Sequence, residues 1–101
     1  MAQRVIWSLA AAEDLQAIVE YIERDSPRYA AAVAEKITTL TRSLPDHPRM
    51  GRQVPELERD DVRERFVFSY RIIYQIREDA VVVANIVHGR RIYEPDVDRL
   101  E

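Results

Sequence analysis

The chain has 101 residues, of which 47% are hydrophobic and 33% charged, a composition that fits one globular domain and excludes a disordered chain. The absence of cysteine excludes disulfides and thiolate chemistry, and the formal net charge of −3 argues against a broad phosphate-binding surface. Since no apolar run is long enough for a membrane span or a signal peptide, we expect a cytoplasmic protein with a single domain over residues 1–101.

The first half of the chain predicts a strand and two helices. Residues 4–7 form a β-branched and aromatic run typical of a short strand, and Ser8 is suited to cap a helix over residues 9–24. The pair Ser26-Pro27 predicts the start of a second helix, which two prolines downstream end. Because the link between them is short, the two helices should form an antiparallel hairpin.

The second half predicts a loop and a sheet. Residues 46–61 are rich in proline and charge and predict an ordered loop, with a short edge strand at 52–54. Three strands follow at 62–68, 70–77 and 80–88, and the last is so uniformly apolar that we expect it to be central. The predicted fold is α+β in the order βααβββ, a helical hairpin packed on a mostly antiparallel twisted sheet.

Short segments spread from Val5 to about Tyr93 form a recognisable set. In chain order they are Ile6-Trp7-Ser8, Ala11-x-x-Asp14-Leu15, Ile18, Tyr21-Ile22, Leu44-Pro45, His47-Pro48, Met50-Gly51-Arg52, Val54-Pro55-Glu56-Leu57, Tyr70-Arg71-Ile72-Ile73-Tyr74 and Val87-His88-Gly89-Arg90-Arg91. In this order they resemble the ParE/RelE superfamily, and within it the ParE-like plasmid-stabilisation toxins. Part of the pattern is structural, since we expect core positions at Trp7, Leu15, Ile18 and Tyr74.

The resemblance implies the toxin component of a type II toxin–antitoxin system. Such a protein inhibits DNA gyrase and arrests growth, with no catalysis, cofactor or metal of its own. The resemblance also implies a cognate ParD-like antitoxin with a ribbon-helix-helix domain. Toxin and antitoxin would then form a hetero-oligomer that contacts operator DNA only through the antitoxin.

Two groups of residues are candidates for these contacts. The candidates for target binding lie near the end of the predicted sheet and are Arg71, His88, Arg90, Arg91 and Tyr93. Structural alternatives are an ion pair for Arg71, a hydrogen-bonded or capping role for His88, and simple solvation of the arginine pair. The candidates for antitoxin binding are residues off the core stripes of the helices: Val19, Tyr21 and Tyr29. We expect Gly51 at a turn that needs positive φ, and Gly89 at a bend.

The alternative function is a RelE-like, ribosome-dependent mRNA endonuclease. Cleavage of RNA without a metal needs a proton acceptor, cations to hold the phosphorane charge and a proton donor. The residues that could fill these roles are Arg65, Arg71, His88 and Tyr93. The single lysine, Lys36, falls in the second predicted helix, and together with the acidic net charge this favours the gyrase inhibitor.

Overall fold

The computed structural model describes residues 4–93, and these form two helices on a five-stranded sheet. Two short 3-10 turns, Leu44–Asp46 and Pro48–Met50, follow the second helix. The elements in chain order are β1 (Arg4–Trp7), α1 (Leu9–Glu23), α2 (Pro27–Ser43), β2 (Arg52–Gln53), β3 (Val62–Val67), β4 (Tyr70–Ile76) and β5 (Ala80–His88). The α+β prediction and its element order are confirmed.

Both helices begin at the predicted caps. The hydroxyl of Ser8 accepts a hydrogen bond from the amide of Ala11 at 3.0 Å, and Ser26 does the same for Tyr29 at 3.1 Å. Each bond gives a partner to an amide that has none within the first turn of the helix. Neither of the described helices combines the length and the apolar character that crossing a bilayer requires.

The strands lie in the order β1-β5-β4-β3-β2. Strand β5 is therefore an inner strand, as its apolar sequence predicted. Strand β1 pairs with β5 in parallel, while the other neighbours pair antiparallel. Beyond Trp7 the edge of β5 is covered by side chains, because Ser8 Oγ donates to the carbonyl of Ala84 at 2.8 Å and Asp14 accepts from the amide of Ile86 at 2.9 Å.

Apolar residues cover both faces of the sheet. The main core lies between helices and sheet and contains Ala11, Ile22, Ala30, Val33, Ile37, Leu44, Val67, Ile72, Tyr74, Val81, Val83 and Ile86. Of the residues expected in it, Tyr74 is fully buried and Trp7, Leu15 and Ile18 are half-buried against it. A smaller cluster on the outer face, away from the helices, contains Val54, Val62, Ile73 and Tyr93. The loop after β2 and the segment after β5 thus give β4 a second buried side.

The expectation of a positive φ at Gly51 is wrong. Its φ is −71°, an ordinary value for any residue. A side chain is excluded there by close approach, because a Cβ atom would lie 2.7 Å from the carbonyl oxygen of Glu64 and closer still to the hydroxyl of Tyr74. That buried hydroxyl accepts from the Gly51 amide at 3.1 Å and donates to the carbonyl of Pro48 at 2.6 Å.

Candidate functional site

Arg71 lies on the outer face of β4 and is held by two carboxylates. Its residue is only 4% exposed. Nε donates to Glu64 at 2.7 Å, while Nη1 and Nη2 donate to the two oxygens of Glu56 at 2.9 and 2.8 Å. The geometry is the bidentate fork that arginine forms with carboxylates. The sequence left Arg71 as either a target-binding residue or a member of an ion pair, and the structure contains the ion pair.

The ion pair changes the protonation equilibria of its members. The hydrogen bonds from Arg71 lower the pKa of Glu56 to about 2, and the hydrogen bond from the amide of Tyr93 acts in the same direction. The same contact with Glu56, followed by that with Glu64, raises the pKa of the Arg71 guanidinium. Glu56 and Arg71 therefore both stay charged over the physiological pH range.

A fourth charge extends the network. Arg52 Nε donates to the second oxygen of Glu64 at 2.6 Å, and the Arg52 guanidinium lies 5.5 Å from the ring centroid of Phe66. The Glu64 side chain is fully buried, and each of its two oxygens is paired with one of the two arginines. Arginine and glutamate alternate along the chain of contacts Arg52–Glu64–Arg71–Glu56, and the network has no net formal charge.

The segment that follows β5, residues 89–93, is attached to this network. Arg71 Nη1 also donates to the carbonyl of Arg91 at 3.0 Å, and the amide of Tyr93 donates to Glu56 at 2.8 Å. The ring of Tyr93 is buried, with its hydroxyl donating to Asn85 at 2.8 Å. Of the five candidates for target binding, the two side chains Arg71 and Tyr93 are therefore buried.

The side chains of Arg90 and Arg91 are exposed and form, with His88, the surface that we call the arginine rim. His88 Nδ1 accepts a hydrogen bond from the amide of Arg90 at 3.2 Å, and its ring meets that of Tyr70 edge-on at 5.8 Å. His88 is therefore hydrogen-bonded in the structure, which was one of the alternatives that the sequence left open. The bend at Gly89 is tight, since a Cβ there would lie 3.0 Å from the carbonyl oxygen of Ser69.

A shallow groove of about 480 Å³ borders the rim between α1 and β5, and its lining includes Tyr21, Tyr70, His88 and Arg91. Burial, followed by the nearby hydroxyls of Tyr29 and Tyr21, raises the pKa of the Tyr70 hydroxyl.

The three candidates for antitoxin contact do not form one patch. Tyr21 is 69% and Tyr29 46% exposed, and the Tyr29 ring lies 5.8 Å from that of Phe68. Val19 is half-buried and lines a separate groove with Trp7. The structure therefore places Tyr21 in the groove beside the arginine rim, Tyr29 against Phe68, and Val19 in a separate groove.

Sequence reasoning missed several residues that shape this surface. The carboxylates of Glu56 and Glu64 were not singled out, although Glu64 and Arg71 lie on one face of a predicted hairpin, which is a signal for an ion pair. Phe68 was also missed: its φ is 52°, uncommon for a bulky residue, and its ring is half exposed. Across residues 4–93, no group of His, Cys, Asp or Glu side chains could hold a metal ion.

Comparison with known proteins gives a consistent result. Residues 5–93 match the family model described as the ParE toxin of the type II toxin–antitoxin system parDE. The chain is 35% identical over 92 residues to the protein named Toxin RelE2 of Caulobacter vibrioides, which covers 91% of this chain and 100% of that protein.

Solved structures are similar as well. The chromosomal ParDE system of P. aeruginosa matches with a TM-score of 0.71 at 20% identity, covering 86% of this chain and 96% of that one. A mutant of the E. coli toxin RelE in the free state matches with a TM-score of 0.61 at 18% identity, covering 89% and 86%. At these identities the structural matches bear on the fold, which they share with this chain.

Proposed function

This chain belongs to the ParE toxin family of type II toxin–antitoxin systems, within the ParE/RelE superfamily, and from that premise we propose that it arrests growth by binding DNA gyrase through the arginine rim. The proposed action is inhibition by binding, with no bond broken by the toxin itself. The ParE resemblance suggests gyrase as the target, and the burial and hydrogen bonding of Arg71 and Tyr93 support this.

The observation that carries the proposal is that Arg71 is already hydrogen-bonded to two carboxylates. Metal-independent RNA cleavage needs cations that are available to a phosphate and groups that can exchange protons with it. Arg71 donates to Glu56 and Glu64 and is 4% exposed, and Tyr93 is buried with its hydroxyl on Asn85. A phosphate would have to displace two carboxylates from Arg71, at the cost of leaving Glu64 buried with one cation.

Arg65, another candidate for the ribonuclease, is separated from Arg71 by the sheet. It pairs with Ile72 across β3 and β4, and paired residues of antiparallel strands share a face. Ile72 belongs to the core under the helices, whereas Arg71 faces the outer side. The residues proposed for ribonuclease chemistry therefore lie on two faces, an arrangement that favours the binding function.

The arginine rim has the properties of a surface that contacts a protein. Arg90 and Arg91 are exposed, adjacent in sequence and on the side of the molecule where β5 ends. Guanidinium groups form bidentate contacts with carboxylates and stack on aromatic rings, and arginine is enriched in the centres of protein interfaces. A protein target is also compatible with the formal net charge of −3, which would oppose tight binding to phosphates alone.

A RelE-like ribonuclease is the second candidate, and one observation favours it. The relative at 35% identity bears the name Toxin RelE2. On this reading His88 would exchange protons with RNA, and Arg90 and Arg91 would bind its phosphates. Cleavage of mRNA on the ribosome by the purified chain would decide for this candidate.

The partner that we propose is a ParD-like antitoxin with a ribbon-helix-helix domain, and contact with operator DNA passes through it. A segment of such an antitoxin that folds on binding would cover the exposed rings of Tyr21 and Tyr29. We retain Val19 as a contact on the neighbouring groove. Loss of antitoxin affinity in Tyr21→Ala/Tyr29→Ala, with Leu9→Ala as an exposed apolar control, tests this contact, and unchanged affinity would contradict it.

The gyrase proposal is tested with matched variants of the full chain. Arg90→Ala/Arg91→Ala should abolish inhibition of DNA supercoiling and growth arrest. Arg24→Ala/Arg42→Ala removes the same charge from two exposed positions, one directly after α1 and one in α2, and should retain both activities. Full inhibition by Arg90→Ala/Arg91→Ala would show that the arginine rim is not needed to inhibit gyrase.

A further inference from the structure

The segment 89–93 lies outside the strand ladder but is closely held. The amide of Gly89 donates to the carbonyl of Ser69 at 2.6 Å, and that of Arg91 to His88 at 3.0 Å, which forms a turn. After this turn, the described hydrogen bonds that hold the backbone of the segment come from side chains. Arg71 binds the Arg91 carbonyl at 3.0 Å, and Glu56 binds the Tyr93 amide at 2.8 Å.

These two contacts come from one ion pair. Glu56 belongs to the loop between β2 and β3, and Arg71 to β4, so their bidentate contact joins the loop to the sheet. Each member uses a further hydrogen-bonding position for the segment that carries Arg90 and Arg91. Because a carboxylate accepts through several lone pairs and a guanidinium donates five hydrogens, both can hold these contacts together.

We propose that the Glu56–Arg71 pair positions the arginine rim, and that Arg71 acts through Arg90 and Arg91 without touching the target. This inference rests on the proposed function, since it gives the rim its role in toxicity. The pair fixes the backbone at Arg91 and at Tyr93, on the C-terminal side of the two exposed side chains. The burial of the Tyr93 ring alone would anchor only the far end of the segment.

Positioning has a measurable consequence for binding. A segment that is already ordered loses less conformational entropy when a partner binds than one that must be ordered at the interface. Disrupting the Glu56–Arg71 pair should therefore weaken binding to gyrase, although Arg90 and Arg91 can still make their contacts. The concentration of toxin needed for half-inhibition of gyrase should rise, and the maximal inhibition at saturation should stay the same.

Glu56 is the position to change, because its side chain is 22% exposed and its removal leaves Arg71 paired with the buried Glu64. Glu56→Ala is compared with Glu58→Ala, which removes the same charge from an exposed residue of the same loop. If Glu56→Ala fails to fold, Glu56→Gln replaces it, with Glu58→Gln as its control. Hydrogen exchange of single amides and inhibition of gyrase supercoiling are measured on each full-length variant.

We expect the amide of Tyr93 to exchange about tenfold faster or more in Glu56→Ala, with amides in β4 unchanged, because its charged acceptor is lost. The half-inhibitory concentration should rise about tenfold, with the maximal inhibition unchanged. Glu58→Ala should match the wild type in both measurements.

Two results would overturn the positioning role, and a third would remove the proposed function with it. Unchanged exchange at Tyr93 would mean that the pair does not hold the segment. Faster exchange with unchanged half-inhibition would mean that the rim works without being positioned, and the proposed function would stand. Full inhibition by Arg90→Ala/Arg91→Ala would refute the rim itself, whatever the exchange rates.

Discussion

Replacing Arg71 with methionine removes the cation between Glu56 and Glu64 and keeps most of the side-chain volume. In the native protein Arg71 is 4% exposed and the Glu64 side chain is fully buried. After the change Glu64 would keep only its contact with Arg52, which is 61% exposed. A buried carboxylate would thus lose the stronger of its two partners.

The expected loss follows from that geometry. Removing one partner of a buried ion pair costs about 3–5 kcal/mol, because the remaining charge has left water without compensation. Domains of this size have a free energy of unfolding of about 5–15 kcal/mol, so Arg71→Met should remove a large part of it. Since each kcal/mol shifts the Tm of such a domain by about 4–8 °C, the Tm should fall by about 12 °C or more.

Urea unfolding at pH 7, followed by circular dichroism, measures this loss. Arg90→Met is the control, since it makes the same chemical change at an exposed residue, and it should cost less than about 0.5 kcal/mol. The double variant Arg71→Met/Glu64→Leu should recover part of the stability, because it also removes the buried carboxylate. A loss below about 1 kcal/mol for Arg71→Met, comparable with a surface pair, would refute the reasoning.

Further outcomes follow from other contacts. The pKa of Glu56 is lowered from 4.5 to about 2 in the folded state, so its charge stabilises the fold above pH 4.5. As pH falls from about 4.5 to 2, about 1–2 kcal/mol should be lost in urea unfolding, less than the full shift would give because Glu56 is an exposed residue and water screens its ion pair, and Glu56→Gln should lack this part of the dependence. Gly51→Ala should cost about 1–3 kcal/mol in the same assay, since its Cβ meets a carbonyl oxygen and the Tyr74 hydroxyl; a neutral result would show that the neighbours can move. Asp14→Ala should cost about 1–3 kcal/mol by leaving the Ile86 amide without its acceptor, whereas Asp14→Asn should keep most of the stability.

The elements could be predicted from the sequence because their signals are local. The caps Ser8 and Ser26 act within three residues of their own position, and the structure has both bonds. The inner place of β5 followed from its continuous apolar sequence, which only a strand covered on both faces can bury.

What escaped prediction depends on contacts between distant residues. Arg71 was recognised as a residue that needs a carboxylate, a partner or water, but its partner Glu56 lies 15 residues away in a loop with no regular geometry. The burial of Tyr93 could not be predicted, because it requires the small outer cluster that the loop and the segment after β5 form together. The role of Gly51 was misread for the same reason, since the atoms that exclude a side chain belong to Glu64 and Tyr74.

Inhibition of DNA gyrase by the purified full-length chain, measured beside ribosome-dependent cleavage of mRNA, tests the proposed mode of action most directly. We expect supercoiling to stop and cleaved DNA to accumulate on gyrase, while the mRNA stays intact. Intact gyrase activity together with cleaved mRNA would contradict binding through the arginine rim as the basis of toxicity.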